Sequence, residues 1–323
     1  MFDIITIGGA TRDVFLVSDK FLSIRSKKIP SGVGECVALG SKIEVDQLVL
    51  TTGGGATNAA ATFASLGFHT ATMTRIGDDS TGKDVIDDLS AFGVSTHFVR
   101  MIKGGQTGYS VLLTMRDGER TILTFRGVSS QFEQKDIHWG GCEQTKWIYL
   151  TSLGGNLALS KKVIENARRC NIKVAWNPGK GELKSGMKSF LALLPMIDIL
   201  TMNLEEAKLL TGKKHVTGIF KMLQSDGKIR LITDGTNGSH VWRDGWMAHA
   251  GTTGVKAVSR TGAGDAFGSG FVAGFIKRED IRYALAIGTL NAESVVQQFG
   301  PKLGILKKWP GTLTTKKIKI QTL

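Results

Sequence analysis

The sequence predicts an α/β protein with a mostly parallel central sheet flanked by helices and a small β-sheet lid. Three observations carry this prediction. Short apolar runs of strand type alternate with segments of helical periodicity, as expected of consecutive βαβ units. The 41 glycines form short patches at the ends of these units rather than a low-complexity tract. One segment near the middle of the chain has instead the pattern of a hairpin.

The N-terminal part of the chain begins with a strand. The run "DIITIGG" at residues 3–9 is almost continuously apolar and ends in Gly-Gly, which is typical of a buried strand in a parallel sheet. The chain from Asp13 to Leu50 has a less regular pattern. The predicted elements that follow are a helix at 57–67 ("TNAAATFASLG"), a strand at 70–77 ("TATMTRIG") and a helix at 81–93 ("TGKDVIDDLSAFG").

The next segment, at residues 106–127, predicts a hairpin. Two β-rich runs lie on either side of "MRDGER", in which Asp117-Gly118 is the turn signal. Because the hairpin interrupts the α/β alternation, we expect it to leave the central sheet. The predicted lid consists of parts of residues 13–50 and 98–127.

The alternation resumes after the hairpin. The predicted elements are strands at 147–154, 172–179, 196–203 and 228–235, and helices at 157–171, 204–212, 262–276 and 281–300. No internal repeat is evident, and a length of 323 residues fits one large α/β domain. We therefore expect residues 1–323 to form a single domain.

Composition limits the classes of partner. The formal charge of +13 is compatible with nucleic acid or with small anionic substrates. No nucleic-acid-binding motif accompanies the charge, so nucleic acid is not the expected partner. The three cysteines lack CxxC spacing and the six histidines lack metal-binding spacing. No signal-peptide pattern occurs at the N-terminus and no apolar run approaches the roughly 18 residues of a membrane span, which predicts a cytoplasmic protein without a membrane partner.

The stretch "RTGAGDAF" at residues 260–267 combines small residues with one carboxylate. Gly262, Ala263 and Gly264 lie directly before Asp265, and apolar residues at helical spacing follow. The free N–H groups at a helix N-terminus, together with the helix dipole, bind anions. Asp265 therefore has two interpretations that the local sequence does not separate. It is an N-cap that occupies those N–H groups, or a general base beside a phosphoryl group that they hold.

Two other glycine-rich patterns are weaker candidates for a nucleotide site. "GSGFVA" at 268–273 matches G-x-G-x-x-A, but it lies within a predicted helix, where close packing on a sheet accounts for the glycines. "GGGATN" at 53–58 precedes a helix but does not complete the Rossmann pattern, and no P-loop motif occurs. Neither a Rossmann nor a P-loop site is expected.

Several motifs in the correct order resemble those of the ribokinase-like sugar kinases, also called PfkB-type carbohydrate kinases. They are "GGATRDVF", "GGGATNAAATFASLG…RIGDDSTGKDVIDDLSAFGV", "NLEE", "ITDGTNGS" and "SRTGAGDAFGSGFVAG". Their spacing agrees with the family over nearly the whole chain. The resemblance implies the three-layer ribokinase-like fold and an enzyme that transfers the γ-phosphate of ATP to a hydroxyl of a sugar. A nucleoside is the alternative acceptor within the family.

The resemblance also implies roles for the "TGAGD" residues. In the family the aspartate of this motif deprotonates the acceptor hydroxyl, and the preceding backbone amides form an anion hole. It follows that Asp265 is the base, and that Gly262, Ala263 and Gly264 stabilise the charge of the transferred phosphoryl group. Positioning and charge neutralisation are the main requirements of phosphoryl transfer.

The nucleotide side is implied by two further motifs. Asn203 and Glu206 match N-x-x-E, which in the family organises Mg²⁺ and the phosphates through water, so that Glu206 is the implied metal residue. A capping pair at the start of a helix is the alternative for both. The residues matching T-x-G-x-x-G are Thr233, Gly235 and Gly238, with a plain β-turn as the alternative. Asn291 lies on the late helix where the family often contacts adenine, and a solvated helix Asn is the alternative.

The acceptor side is implied by residues near the N-terminus. Asp13, Gly53, Gly54 and Asn58 align with the sugar-binding positions of the family. A carboxylate and an amide can each hold vicinal hydroxyls, and Gly-Gly lets a sugar ring approach the backbone. The alternative for Asp13 is a loop residue that caps a turn. Arg120 and Arg126 flank a predicted lid strand, where a solvated face is favoured over contact with an anionic acceptor.

The chain departs from the family pattern just before the anion hole. Ser259 stands where many members have an aspartate that helps to form a monovalent-cation site, so this cofactor is in doubt. Arg260 follows it, and Ala175 replaces an acidic residue in "VAWNPG". Pairing of lid strands into a homodimer is a further implication of the resemblance. The rival from another class is a catalytically silent relative that binds a ligand or nucleic acid.

Overall fold

The structure is a computed structural model that describes residues 1–29, 32–115 and 119–323 of the chain. The predicted Asp117-Gly118 turn lies outside the described residues. The strands are β1 (Phe2–Ile7), β2 (Thr11–Val17), β3 (Leu22–Arg25), β4 (Val33–Cys36), β5 (Gln47–Gly53), β6 (Thr70–Met73), β7 (Arg75–Gly77), β8 (Arg100–Ile102), β9 (Gly108–Thr114), β10 (Arg120–Phe125), β11 (Thr145–Leu150), β12 (Lys173–Trp176), β13 (Ile199–Asn203), β14 (Ile229–Thr233), β15 (Ser239–Arg243), β16 (Trp246–Ala250) and β17 (Ile320–Thr322). The helices are α1 (Gly55–Ser65), α2 (Ser80–Ala91), α3 (Trp139–Cys142), α4 (Leu157–Arg169), α5 (Lys180–Leu183), α6 (Met187–Leu191), α7 (Leu204–Thr211), α8 (Val216–Leu223), α9 (Ala263–Arg278), α10 (Ile281–Val296) and α11 (Thr312–Thr315).

A large sheet runs through the centre of the protein in the order β17-β16-β15-β14-β13-β12-β11-β1-β6. The strands from β14 to β6 are parallel, and β15, β16 and β17 extend the β14 edge with antiparallel pairing. The predicted α/β class with a mostly parallel central sheet is therefore confirmed. The antiparallel extension was not predicted, because β15 and β16 are interrupted by polar residues and β17 lies in the basic C-terminal segment.

Helices cover both faces of this sheet. Ile5 and Ile7 of β1 pack in one apolar cluster with α4 and α8, whereas Ile4 packs on the opposite side with α1, α9 and α10. Successive side chains of a strand point to opposite faces, so one continuously apolar strand supplies both clusters. This arrangement gives three layers and holds the carboxyl ends of the parallel strands at one edge.

A second, smaller sheet has the order β10-β9-β2-β5. The pairs β10–β9 and β2–β5 are antiparallel and β2–β9 is parallel. The predicted excursion of the hairpin from the central sheet is thus confirmed. The less regular segment from Asp13 to Leu50 contributes to β2 and β5 of the same small sheet, as expected for parts of residues 13–50. Asp13, Val14 and Phe15 of β2 are buried in succession, so no alternating pattern marked this strand in the sequence.

One other predicted element differs from expectation. The predicted strand at 70–77 is divided into β6 in the central sheet and β7, which pairs with β8 in a separate sheet. The turn between them redirects the chain before α2. Within the described residues no helix has the length and apolar character required to cross a membrane.

Candidate active site

An open cavity of about 290 Å³ lies between the carboxyl ends of the central strands and the small sheet. A second cavity of about 220 Å³ adjoins it on the side of β13 and β14. Open parallel sheets bind ligands at this edge. Asp265 and Glu206 line both cavities, so the two carboxylates lie where a ligand in one cavity would meet a ligand in the other.

The turn that leads into α9 presents backbone amides at this boundary. Gly262 is the N-cap of α9, with a left-handed φ of 82°, and no side chain caps the helix. A Cβ at Gly262 would lie 2.3 Å from the Cβ of Pro301, so the turn is packed tightly against the loop after α10. Asp265 lies in the first turn of α9 and does not cap it. The first alternative that the sequence left open for Asp265, an N-cap, is therefore excluded.

A hydrogen bond from Asn58 orients the Asp265 carboxylate. Its Oδ2 accepts a hydrogen bond from Nδ2 of Asn58 at 2.8 Å. Burial raises the pKa of Asp265, while the Asn58 hydrogen bond and the positive charge of Lys302 oppose that rise. A carboxylate whose pKa is raised binds a proton more tightly, which suits it to accept one from a hydroxyl.

The predicted acceptor-side residues come together around Asp265. Asp13 is 7% exposed, and its Oδ1 accepts a hydrogen bond from the Thr11 hydroxyl at 3.0 Å. Burial is the main cause of the raised pKa of Asp13. A Cβ at Gly53 would lie 2.0 Å from Oδ2 of Asp13, so glycine makes room for this carboxylate.

Gly54 and Asn58 complete the acceptor side. Gly54 lines the larger cavity with a φ of 99°, and a Cβ there would lie 2.3 Å from the Gly9 carbonyl oxygen. The Oδ1 of Asn58 is buried and has no hydrogen-bond partner among the described residues. One amide therefore positions the Asp265 carboxylate and keeps a free acceptor oxygen.

Asn203 and Glu206 form a capping box at the start of α7. The Asn203 Oδ1 accepts from the Glu206 N–H at 2.8 Å, and the Glu206 Oε2 accepts from the Asn203 N–H at 3.0 Å. Both residues also line the smaller cavity beside Asp265. Burial raises the pKa of Glu206, and the charge of Lys180 opposes this. The capping interpretation is thus correct, and it does not exclude a role toward a ligand.

The donor set fits a water-mediated cation better than a directly bound one. Within the described residues no group of three or more His, Cys, Asp or Glu side chains is placed to hold a metal ion. Mg²⁺ commonly keeps several waters and is held by one or two carboxylates together with substrate phosphates. The oxygens of Glu206 and Asn203 at the smaller cavity match that requirement.

The residues of the T-x-G-x-x-G motif, also predicted to lie on the nucleotide side, differ in their position relative to the cavity. Thr233 lines the smaller cavity, whereas Gly235 and Gly238 are outside its lining. Gly238 has a φ of 90°, and a Cβ there would lie 2.0 Å from the Ala250 carbonyl oxygen, so the geometry of the turn itself requires glycine. The structure brings only Thr233 of this motif directly to the cavity.

Asn291 is not brought to either cavity, and its prediction as an adenine contact needs correction. The residue is fully buried. Its Nδ2 donates to the Ala266 carbonyl at 2.8 Å, and its Oδ1 accepts from the Leu306 N–H at 2.8 Å. These bonds join α9, α10 and the following loop, which also excludes the solvated alternative. Helical position alone could not distinguish an inward-facing Asn from an outward-facing one.

The sequence did not identify two buried charged residues near the site. Lys302 is 2% exposed and donates to Oδ2 of Asp88 at 2.7 Å and to the Thr52 hydroxyl at 2.5 Å. Glu182 is fully buried and accepts from the Ser152 hydroxyl and three backbone N–H groups in two loops that wall the cavity. Both lie in segments that resemble ordinary polar loops, so no sequence signal marked them.

The departures noted near the anion hole have clear placements. Ser259 is buried, and its Oγ accepts from the Thr261 N–H at 3.3 Å. Arg260 is mostly exposed and pairs with Glu119 at 3.6 Å. Arg126 lines the larger cavity. The half-buried Arg120 lies at the start of β10, and its Nε has no hydrogen-bond partner among the described residues.

Comparison with known proteins places these features in a family. The model of the "pfkB family carbohydrate kinase" family matches residues 3–308. The chain is 30% identical over 246 residues to an ATP-dependent ribose-1-phosphate kinase of Halopiger xanaduensis, covering 74% of this chain and 80% of that protein. It is 26% identical to a ribokinase of Haemophilus influenzae, covering 78% and 83% of the two chains.

Solved structures show the same fold. An adenosine kinase from Sinorhizobium meliloti superposes with a TM-score of 0.76 at 24% identity, covering 93% of this chain and 95% of that one. An Arabidopsis thaliana ribokinase in complex with ribose and ATP superposes with a TM-score of 0.75 at 20% identity, covering 98% of each chain. Identities at this level establish the common fold alone.

Proposed function

Because the chain belongs to the pfkB family of carbohydrate kinases, and is therefore a phosphotransferase with a hydroxyl acceptor, we propose that it transfers the γ-phosphate of ATP to a hydroxyl of a sugar. The observation that carries this proposal is the position of Asp265. Its carboxylate lies at the boundary of two cavities, in the first turn of α9, whose N-terminus no side chain caps, and burial raises its pKa.

The proposed chemistry is proton removal and charge stabilisation. Asp265 accepts the proton of the acceptor hydroxyl as that oxygen attacks the γ-phosphorus, and the bond from the γ-phosphorus to the bridging oxygen of ADP breaks. The backbone amides that follow Gly262 donate hydrogen bonds to the phosphoryl oxygens. Since these amides and the carboxylate belong to one helical turn, base and anion hole keep a constant separation.

Asn203 and Glu206 are the residues that would hold the Mg²⁺ of the nucleotide, through water. Mg²⁺ neutralises phosphate charge when it is bound. Thr233 lies at the same cavity and is the proposed contact to the nucleotide phosphates. Gly235 and Gly238 shape the turn behind it. Ser259 is buried and stands where many family members have an aspartate. A comparison of rates in K⁺ and Na⁺ tests activation by a monovalent cation.

Asp13 and Asn58 are proposed to bind the acceptor hydroxyls, with Gly53 and Gly54 permitting close approach of the ring. The small sheet is the proposed lid over this cavity, within a single domain of residues 1–323. The printed names of the relatives include kinases of a free sugar, a sugar phosphate and a nucleoside. They therefore support the sugar acceptor without excluding a nucleoside.

We also propose that the outer face of the small sheet pairs with a second copy of the chain. Leu50 lies opposite Val14, which lies opposite Val111, which lies opposite Leu123, so these apolar residues share one face. Leu50 and Leu123 are more than half exposed. Val14 between them is buried, so Leu50 and Leu123 are the exposed apolar residues of this row. Large exposed apolar residues grouped on one face are typical of protein interfaces.

The proposed function is tested by coupled measurement of ADP release with MgATP and a panel of free sugars, sugar phosphates and nucleosides. We expect turnover that requires an acceptor with a free hydroxyl and that requires Mg²⁺. Absence of turnover with every acceptor, combined with tight salt-sensitive binding of RNA or DNA, would instead support a catalytically silent nucleic-acid-binding relative.

A further inference from the structure

The lining of the larger cavity differs from that of a typical base-binding pocket. Hydroxyl side chains predominate, from Thr11, Thr124, Ser129, Ser130, Thr151 and Ser152. Pro178 is its one apolar side chain larger than a methyl group among the described residues, and no aromatic ring from them lines it. Nucleobases are usually held by stacking on aromatic or apolar surfaces. The lining therefore suits a polar, hydroxyl-rich acceptor.

Charged side chains of both signs line this cavity. Asp265 and Glu206 supply carboxylates, and Arg126 is the one cation among the described lining residues. No hydrogen bond or ion pair engages the Arg126 guanidinium within the described chain. Arg120 lies on the same face of β10 as the lining residue Thr124, so it adds positive charge on that side.

We propose, on the basis of the proposed kinase function, that the acceptor is a sugar bearing a phosphate group and that Arg126 binds this group. The acceptor hydroxyl lies at Asp265 while its anion lies at Arg126, and both residues line the same cavity. Arginine offers parallel N–H donors that match phosphate geometry. A neutral sugar or a nucleoside offers no anion to this guanidinium.

The test compares matched pairs of acceptors: ribose with ribose 5-phosphate and with ribose 1-phosphate, fructose with fructose 6-phosphate, and adenosine. In the wild type we expect kcat/KM to favour one phosphorylated sugar over its neutral partner by about 10- to 150-fold, the effect of a hydrogen-bonded charge pair. Arg126→Gln should reduce this ratio to near one, with the larger loss of kcat/KM on the phosphorylated sugar. Arg168→Gln, on the exposed side of α4, is the control and should keep the ratio.

Two results would overturn this inference. The first is that the wild type turns over a neutral sugar or a nucleoside at least as well as every sugar phosphate. The second is that Arg126→Gln loses kcat/KM equally on neutral and phosphorylated sugars. The proposed function fails separately, by absence of turnover on all acceptors. In that case calorimetric binding of the sugar phosphates to wild type and Arg126→Gln still decides, because equal affinities contradict the assigned contact.

A second inference rests on a different observation, the buried Lys302. Its ammonium joins three parts of the site: Asp88 on α2, Thr52 on β5, and the loop whose Pro301 packs against Gly262. Thr52 also donates to Asp88, which closes a buried network. Lys302 thereby connects the acceptor strand β5 to the turn that forms the anion hole.

The same ammonium acts on the carboxylates around it. Asp13 on β2 and Asp265 on α9 both have raised pKa values because of burial, and the charge of Lys302 opposes the rise in each. Burial lowers the pKa of Lys302, and the surrounding carboxylates oppose this. Tyr149 on β11 and Glu206 on α7 also face the Asp265 charge.

We infer that Lys302 is a positioning residue that holds the anion-hole turn against the acceptor strand. Lys302→Met retains most of the side-chain length and removes the charge. We expect its acid limb in the pH profile of kcat/KM to move upward by about 0.5 to 1 pH unit, because the pKa of Asp265 rises when a nearby cation is lost. Lys302→Arg keeps the positive charge, so its acid limb should lie close to that of the wild type.

The control is Lys228→Met, which removes another partly buried ammonium, paired with Asp198 at 2.9 Å. It should lower thermal stability without moving the pH profile. A purely structural Lys302 predicts lower stability and an unmoved acid limb in both variants, and that result would refute the inference. If Lys302→Met does not fold, the pH profile of Lys302→Arg is compared with that of the wild type instead. The inference then requires an unshifted acid limb and full activity in Lys302→Arg.

Discussion

Replacing Gly262 with alanine should weaken the fold, whereas the same change at Gly264 should not. Gly262 has a φ of 82°, and its added Cβ would lie 2.3 Å from the Cβ and 2.6 Å from the Cα of Pro301. Gly264 lies two residues on in the same turn, inside α9, and an added Cβ there meets nothing within 4 Å. The pair therefore offers a matched comparison of one substitution in one turn.

The expected magnitudes follow from these contacts. A left-handed alanine costs about 1 to 2 kcal/mol, and displacing a packed loop costs about 1 to 3 kcal/mol. For a chain of this size Gly262→Ala should lower Tm by roughly 3 to 10 °C. Gly264→Ala should keep or slightly raise Tm, because alanine is favoured over glycine within a helix by about 1 kcal/mol.

Kinetics then separate structure from chemistry. Gly262→Ala should also lower kcat by about 100-fold or more, since displaced amides no longer meet the transferred phosphoryl group. Gly264→Ala places its methyl group in the smaller cavity, so we expect a higher KM for ATP at unchanged stability. Scanning calorimetry and steady-state kinetics measure the two effects. Equal loss of Tm in both variants, or no loss at Gly262, would refute the reasoning.

Three further predictions concern the base, the metal and the outer sheet face. Because burial raises the pKa of Asp265, the activity of the wild type should fall as pH falls through a value above the usual range near 4. Asn58→Ala removes a hydrogen bond that lowers this pKa, so the acid limb of its pH profile should lie at higher pH. An acid limb that is unmoved or lies at lower pH contradicts the assignment. Glu206→Gln retains a residue accepted in a capping box, so Tm should change little while the Mg²⁺ concentration for half-maximal activity rises; loss of Tm with unchanged Mg²⁺ dependence would leave only the capping role. Light scattering should show a dimer that Leu123→Lys with Phe125→Lys converts to a monomer, and a wild-type monomer at micromolar concentration would refute the pairing.

Much of the fold was predictable because its signals are local. The apolar run of β1 and the helical periodicity after Asp265 each specify an element without reference to distant residues. The alternation of such elements is sufficient for a mostly parallel sheet. The small sheet was only partly predicted, because β2 and β5 are held by pairing with β9 and with each other rather than by a strong local pattern.

The site shows the same division. The "GAGD" stretch contains its own helix N-terminus, so the sequence located the turn proposed as the anion hole, although it could not separate a cap from a base. The Gly262 cap, packed against Pro301, excludes the capping role, and the hydrogen bond from Asn58 of α1 to Asp265 of α9 supports the proposed base. Lys302 and Asn291 show the limit, because the direction in which a side chain faces is decided by packing between helices and loops distant in sequence.

The most direct test of the account is single-turnover phosphoryl transfer by Asp265→Asn with the preferred acceptor and saturating MgATP. This change removes the base and keeps the shape of the side chain. We expect the rate to fall about 100- to 10,000-fold with ATP affinity almost unchanged, while Asp87→Asn on the exposed side of α2 keeps the wild-type rate. A wild-type rate in Asp265→Asn would contradict the central claim that this carboxylate accepts the proton of the attacking hydroxyl.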